Sequence, residues 1–361
     1  MLNHTLEHSV SANDLRDLEA AVLSLSFADR WALKLGSWQA QVLATHPGQL
    51  ETLKYLYKQI AESELSGNVS CKLYLVDVGS FPDFKAFADR LLTERTIPPD
   101  GYLTRKLSSA ECGNYDSASV LMTEMAMLVS VADRESERIY VFVINDQPIY
   151  EFQVHLSFLV NYALFNSGRL YLHAGAVRFA DRVRLFVGER GAGKSTVCLR
   201  LGQAGATVLS DDHVMIRKDD GNFFVSGCGE LARVTEKTEG FLFNTPLNAR
   251  ANDYAGLLKK EFRIDEYFSA EPARDYPLDE IYFLARGDQL AINQISAHET
   301  TLELMTRTKS ALRFGSPTEV HRYLDYFTQL AESVPAFWLT LTSDLRDLDG
   351  LIHFLSTSTS R

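Results

Sequence analysis

The sequence predicts an α/β protein with a phosphate-binding domain over residues 151–361 and a separate α+β domain over residues 1–150. Three observations predict it. Beyond residue 150, apolar runs of strand length alternate with segments of helical period. One of these runs, Val183 to Val187, leads directly into Gly188-Glu189-Arg190-Gly191-Ala192-Gly193-Lys194-Ser195, which fits GxxxxGK[ST] at every fixed position. The first 150 residues carry helix and strand patterns but no recognisable catalytic pattern, repeat or low-complexity tract.

Taken in order, residues 1 to 10 are expected to fray. Ser11 to Asp14 then caps a helix through Leu15, Leu18, Val22 and Leu25. Trp31, Leu33 and Trp38 read as core aromatics and aliphatics. A second helix is predicted from Gln49 to Glu62, a strand over Lys72 to Val78 and a helix over Phe84 to Leu92, broken at Pro98-Pro99. Residues 102–150 read as β-rich. Within them Ser119 to Val131 suits either strand or helix, and Arg138 to Asn145 is a strand. The chain turns at Asp146-Gln147-Pro148 into Ile149 to Val154, and a helix over His155 to Asn166 ends at Gly168. Strands follow at Leu170 to Leu172 and Val183 to Val187, then a helix after the loop, a strand at Thr207 to Leu209, and a hairpin around Asp219 to Asn222. After a mixed polar stretch over 230–276 come a strand at Glu280 to Ala285 and helices at Ala297 to Met305 and Thr318 to Ala331. A strand at Ala336 to Leu341 and a helix at Leu345 to Leu355 complete the chain.

The loop spacing has a chemical reason. Phosphate oxygens need several backbone N–H donors converging on one point, and glycine reaches the required torsions without strain. The helix that starts near Lys194 turns its free N–H groups toward the same anion. Gly188, Glu189, Arg190, Gly191, Ala192, Gly193, Lys194, Ser195 and Thr196 are therefore the candidate nucleotide-binding residues. Lys194 is expected to reach the β- and γ-phosphates, and the Ser195 hydroxyl to ligate Mg²⁺.

Asp211 and Asp212 end a short strand only seventeen positions after Lys194. One short helix and a turn fit that interval, so the two strands are expected to lie side by side, with both carboxylates beside the loop. One Asp can hold the metal and the other can accept a proton from an attacking hydroxyl; the spacing does not say which. His173, at the end of its strand, is of a kind that is more often structural. Here strand, turn and strand would bring it alongside the phosphate-loop strand and its acidic neighbour.

LHAGAV, GERGAGKST and SDD together resemble the catalytic core of the HPr kinase/phosphorylase superfamily, whose nucleotide-binding fold is similar to that of phosphoenolpyruvate carboxykinase. The resemblance covers roughly residues 165–220. It implies an active site of His173, Lys194, Ser195, Asp211 and Asp212, in which one aspartate, steadied by the histidine, acts as base toward a serine hydroxyl. It also implies ATP and Mg²⁺ as cofactors, and a homo-oligomer of unspecified size. Gly227 to Arg233 is the nearest counterpart of the acidic LEIRG-type signature of true HPr kinases, which makes Glu230 a candidate metal contact. The match points to a related peptide or serine kinase rather than to a kinase of HPr itself.

The net charge of −11 argues against nucleic acid as a partner, and leaves room for a basic peptide. Cys71, Cys112, Cys198 and Cys228 lie far apart without metal-ligand spacing, which reads as free thiols in a reducing compartment. No secretory pattern opens the chain, and the longest apolar block, Leu156 to Phe165, falls short of a membrane span. A cytoplasmic location is expected. Cations scattered over 230–276 read as ordinary surface charge, with Lys260 and Arg233 the candidates if a lid brings one to the phosphoryl group. The leading expectation is an ATP-dependent kinase acting on a serine of a peptide or small protein. A kinase of free serine or a sugar-like alcohol, and a nucleotide-binding switch or scaffold without transfer, are the alternatives.

Overall fold

The computed structural model describes residues 12–35, 38–56, 71–81, 84–91, 103–106, 117–122, 126–132, 137–143, 161, 164–165, 168–253, 258–271, 274–308 and 317–357. It is a mixed α/β protein with four sheets among these residues.

The N-terminal part contains helices α1 (Ala12–Leu23), α2 (Pro47–Leu56) and α3 (Phe84–Leu91). Its strands are β1 (Asp29–Leu35), β2 (Trp38–Ala44), β3 (Cys71–Asp77), β4 (Leu103–Lys106), β5 (Ser117–Met122), β6 (Ala126–Ala132) and β7 (Glu137–Val143). They form one seven-stranded sheet in the order β1-β2-β3-β7-β6-β5-β4. Only the β2/β3 and β3/β7 pairs are parallel. Leu15, Leu18 and Val22 of α1 are buried against Tyr74, Val76, Val129 and Phe142, as the helical spacing requires. The ambiguous stretch Ser119 to Val131 resolves into the antiparallel pair β5/β6. The predicted helix over Gln49 to Glu62 is described as far as Leu56, and the strand over Ile149 to Val154 lies outside the described residues. Of the helix predicted over His155 to Asn166, Asn161, Leu164 and Phe165 are helical, and the rest also lies outside.

The C-terminal part begins with β8 (Arg169–Leu172), β9 (Ala174–Phe179), β10 (Arg182–Val187), α4 (Lys194–Gln203) and β11 (Thr207–Ser210). The chain continues through β12 (Val214–Asp219), β13 (Asn222–Gly227), β14 (Leu231–Val234), α5 (Glu236–Leu242), β15 (Ala251–Asp253), β16 (Leu258–Arg263) and β17 (Tyr276–Pro277). It closes with β18 (Glu280–Arg286), β19 (Ala291–Ile295), α6 (Ala297–Arg307), α7 (Pro317–Ser333), β20 (Ala336–Leu341) and α8 (Leu348–Thr357). The central sheet runs β11-β9-β10-β18-β20-β19; a second runs β17-β13-β12-β8, and a third β14-β16-β15. Strands β10, β18 and β20 pair in parallel.

The expected side-by-side pairing of β10 with β11 does not form. The phosphate-loop strand and the aspartate strand are not neighbours: β9 lies between them, antiparallel to both. Ala180 and Asp181 close the β9/β10 turn at φ 50° and 58°, so β9 folds directly back along β10 and occupies the place that β11 would take.

The central sheet is covered on both faces, which is why its strands read as continuous apolar runs. Phe186, Tyr282 and Leu339 face Val197, Cys198 and Leu201 of α4 and Leu351 and Leu355 of α8. Leu185, Val187, Ile281 and Phe283 face the opposite core, with Leu304 of α6 and Tyr323, Phe327 and Leu330 of α7. Arg184 is fully buried, donating to Glu280 at 2.8 Å and to the Phe179 and Leu355 carbonyls, and so ties α8 to the sheet. The approach of α4 to β9 leaves no room for a Cβ at Gly175, which would overlap the Cys198 Sγ. Gly175→Ala is expected to cost about 1–3 kcal/mol through overpacking. Thermal unfolding checks this as a fall of several degrees in the midpoint.

Cys71, Cys198 and Cys228 are buried free thiols, and Cys112 lies outside the described residues. Among the described residues no helix is long and apolar enough to cross a membrane.

Candidate active site

The loop after β10 turns back on itself, with the Ala192 N–H donating to the Glu189 carbonyl at 3.1 Å. Gly193 caps α4 at φ 112°, in the left-handed region, and no side chain caps the first turn. The N–H groups of that turn are thus left for an anion. A Cβ at Gly193 would also lie 3.2 Å from Leu341 Cδ1. Gly193→Ala is therefore expected to destabilise the fold by roughly 1–2 kcal/mol through backbone strain, read as a fall in the melting midpoint.

Lys194 is only 6% exposed, and its Nζ donates to the Gly188 and Glu189 carbonyls at 2.8 and 3.3 Å. Burial lowers its pKa, and nearby Lys259 adds to the effect, while Asp212 and Asp211 oppose it. Arg286 braces the loop from β18, donating to the Gly191 and Thr342 carbonyls at 3.1 and 3.0 Å. Glu189 turns away to Arg307 of α6 at 2.8 Å. Ala192 packs into the core beneath the loop.

Strand β11 ends in a turn held by the Ser210 hydroxyl oxygen, which accepts from the Asp212 and His213 N–H groups at 3.3 and 3.2 Å. The turn points the two carboxylates at different partners. Asp211, 2% exposed, accepts from the Arg233 N–H at 3.5 Å, and the Ser195 hydroxyl lies where it too favours the ionised carboxylate. Burial, and then the charge on Asp212, push its pKa up to about 7, against the pull of those two groups. Asp212 meets His173 Nδ1 at 2.9 Å, His213 Nδ1 at 3.2 Å and Arg233 Nη1 at 3.7 Å. Burial opposes its ionisation, but His213 and His173 together hold it well below the usual carboxylate range. Burial lowers the His173 pKa despite Asp212, so the ring is neutral at neutral pH and donates its Nδ1–H to the carboxylate. His213 stacks on Tyr171 at 5.0 Å between ring centroids, which fixes its plane.

These groups share one cleft of about 470 Å³. Arg190, Gly191, Gly193, Lys194, Ser195 and Thr196 supply one side of it, and His173, Asp211 and Asp212 another. The sequence-predicted His173, Lys194, Ser195, Asp211 and Asp212 are thus brought together despite the intervening β9. Glu230 is not: it pairs with Arg263 at 2.9 Å beside a separate small cavity, because the chain leaves the cleft between β13 and β14. Lys260 is not either: its Nζ is held by Glu239 at 2.9 Å and by the Leu247 carbonyl at 3.1 Å. Its neighbour Lys259 lines the cleft instead, since alternate residues of β16 face opposite ways. Arg233, the other candidate, does line it.

Thr235, Thr238 and Arg286 also line the cleft, with Lys237 and Lys259, two of the scattered cations over 230–276 that read as surface charge. Thr235 carries a local signal, since it caps α5 by accepting from the Thr238 N–H. Two groups of side chains have the chemistry of metal ligands. Ser195 and Asp211 offer hard oxygens beside the loop. His173, Asp212 and His213 place one ligand atom each within 4.8 Å of one another, but both imidazoles are turned onto the Asp212 carboxylate.

Comparison with known protein families and with curated proteins finds no match to this chain.

Proposed function

We propose that this chain is an ATP-dependent phosphotransferase that moves the γ-phosphoryl group to an alcohol, a serine hydroxyl of a peptide or small protein. The observation that carries this reading is the convergence of Lys194, Ser195, Asp211, Asp212 and His173 on one cleft that opens at the N-terminus of α4. On this reading the C-terminal part is a phosphate-loop domain of the HPr-kinase and phosphoenolpyruvate-carboxykinase type. Residues 1–150 form a recognition domain, and the protein works in the cytoplasm.

The residues divide the labour. The α4 N–H groups and Lys194 hold the phosphate chain and draw charge from the β–γ bridge. Ser195 and Asp211, which line the cleft together beside the loop, are the pair that would hold Mg²⁺. When bound, that ion neutralises charge that builds on the phosphate oxygens. Asp212 takes the proton of the acceptor hydroxyl, and neutral His173 fixes the carboxylate by donating Nδ1–H. A low pKa suits this base, because transfer through a loose transition state needs the proton removed late.

The aspartate assignment has a pH consequence. Asp211, with a pKa of about 7, must lose its proton to ligate a cation. Apparent Mg²⁺ affinity in the nucleotide complex is therefore expected to be flat above about pH 7 and to fall about tenfold per unit below it. Calorimetric titrations at pH 6 and pH 8 check this, and Asp211→Asn is expected to remove the dependence.

Transfer itself is tested by incubating the protein with labelled ATP, Mg²⁺ and a broad set of serine acceptors. Label is expected in an acceptor with wild type and not with Lys194→Ala. Steady ATP hydrolysis without any acceptor would favour a nucleotide-operated switch instead.

A further inference from the structure

The cleft is strongly basic in a chain whose net charge is −11. Six cations line it, Arg190, Lys194, Arg233, Lys237, Lys259 and Arg286, against two carboxylates, Asp211 and Asp212. Arg233 is neutralised by Glu261 at 2.8 Å. Among the described residues the other five form no salt bridge. Lys194 and Arg286 are turned to loop carbonyls, and Lys237 to the Ser343 carbonyl at 3.0 Å. A triphosphate with its divalent cation retains only roughly two negative charges. The cleft therefore holds more positive charge than its donor neutralises, which favours the binding of a second anion.

The position of the surplus is informative. Arg233 of β14 pairs in register with Glu261 of β16, and Lys259 lies two residues before Glu261, on the same face of that sheet. That face meets the aspartate turn through the Arg233 contacts to Asp211 and Asp212. Lys237 and Arg286 belong instead to the wall formed with Thr342 and Ser343. Lys259 is thus a cation without a carboxylate partner, on the sheet face that carries Arg233 to Asp212 and near enough to Lys194 to disfavour its charge.

We infer that the acceptor carries an anionic group, a carboxylate or a phosphate, next to its hydroxyl, and that Lys259 binds that group while Asp212 receives the hydroxyl proton. The inference rests on the phosphotransferase reading and narrows its substrate class. The acceptor oxygen forms a bond to the γ-phosphorus, and the bond from that phosphorus to the bridging oxygen breaks. ADP leaves with the electron pair, and the proton passes to Asp212 and then to water. A basic peptide, which the overall charge invites, meets the wrong field in this cleft.

The test uses the full chain saturated with Mg²⁺ and the β,γ-methylene analogue of ATP. Glycerol 3-phosphate, L-serine and a serine peptide flanked by glutamates are titrated against glycerol, L-serinamide and the same peptide flanked by lysines. At least one anionic probe is expected to bind tenfold or more tightly than its uncharged or basic counterpart, with affinity that falls as salt rises. Which probe binds identifies the source of the anion. Lys259→Ala is expected to cost roughly tenfold or more in that affinity while analogue binding stays within a few-fold. Lys260→Ala, which removes a cation one position away on the other face, is expected to leave it unchanged. Equal affinity for charged and neutral probes, preference for the basic peptide, or full anion affinity in Lys259→Ala would overturn the inference. Failure of the ATP analogue itself to bind would instead sink the phosphotransferase reading.

Discussion

Lys194→Ala is expected to abolish phosphoryl transfer, by about 10³-fold or more, while leaving the fold intact. The ammonium is the only cation that emerges from the first turn of α4, and it sits between the loop carbonyls and the two aspartates. On the phosphotransferase reading it is aimed at the β–γ bridge and would stabilise charge that exists mainly in the transition state, in a buried setting where that interaction is strong. The loop N–H groups survive the substitution, so nucleotide is expected to bind with reduced affinity. The loss then falls mainly on kcat. Lys194→Met keeps the aliphatic stem and is expected to fail equally, which separates loss of charge from loss of packing. Single-turnover transfer from labelled ATP, with the melting midpoint as a folding control, provides the measurement.

Asp212→Asn is expected to lower kcat by about 10²–10⁴-fold with little change in nucleotide affinity. The carboxylate faces His173, His213 and Arg233, not the Ser195 side where Asp211 lies, so on the proposed assignment its loss would remove the proton acceptor and leave the metal pair in place. Asp211→Asn, by contrast, is expected to raise the Mg²⁺ requirement sharply. His173→Ala is expected to cost less than either, about tenfold to a hundredfold, because the imidazole only orients Asp212. If Asp212→Asn instead lost Mg²⁺ binding and Asp211→Asn retained it, the two roles would be exchanged. Rate against Mg²⁺ concentration, for both variants, distinguishes these outcomes.

The site was largely legible in the sequence because its chemistry is local. A phosphate loop is specified by glycines at fixed offsets and by one lysine and one hydroxyl, and Asp211 and Asp212 end the next strand but one in the sheet. What was not legible depended on register and side-chain parity. The β9/β10 turn uses Ala180 and Asp181 at positive φ, where Asn-Gly or Asp-Gly would have announced a tight hairpin, so the insertion of β9 was not apparent. Lys259 and Lys260 are chemically identical neighbours, and only the facing of β16 assigns one to the cleft and the other to Glu239. Resemblance to a signature points to Glu230 as a metal contact, whereas its partner Arg263 lies 33 positions away in sequence. In the N-terminal part, Trp31 and Leu33 were legible as core, but the pairing of β1 with β2 needed the register that brings Trp31 opposite Val42.

The most direct measurement is a crystal structure of the protein with Mg²⁺ and the β,γ-methylene analogue of ATP. The triphosphate is expected along the first turn of α4, with Lys194 Nζ at the terminal phosphates, the metal on Ser195 and Asp211, and the Asp212 carboxylate open toward Lys259. A nucleotide seated elsewhere, or a metal held by Asp212 with Asp211 facing the acceptor space, would contradict this assignment.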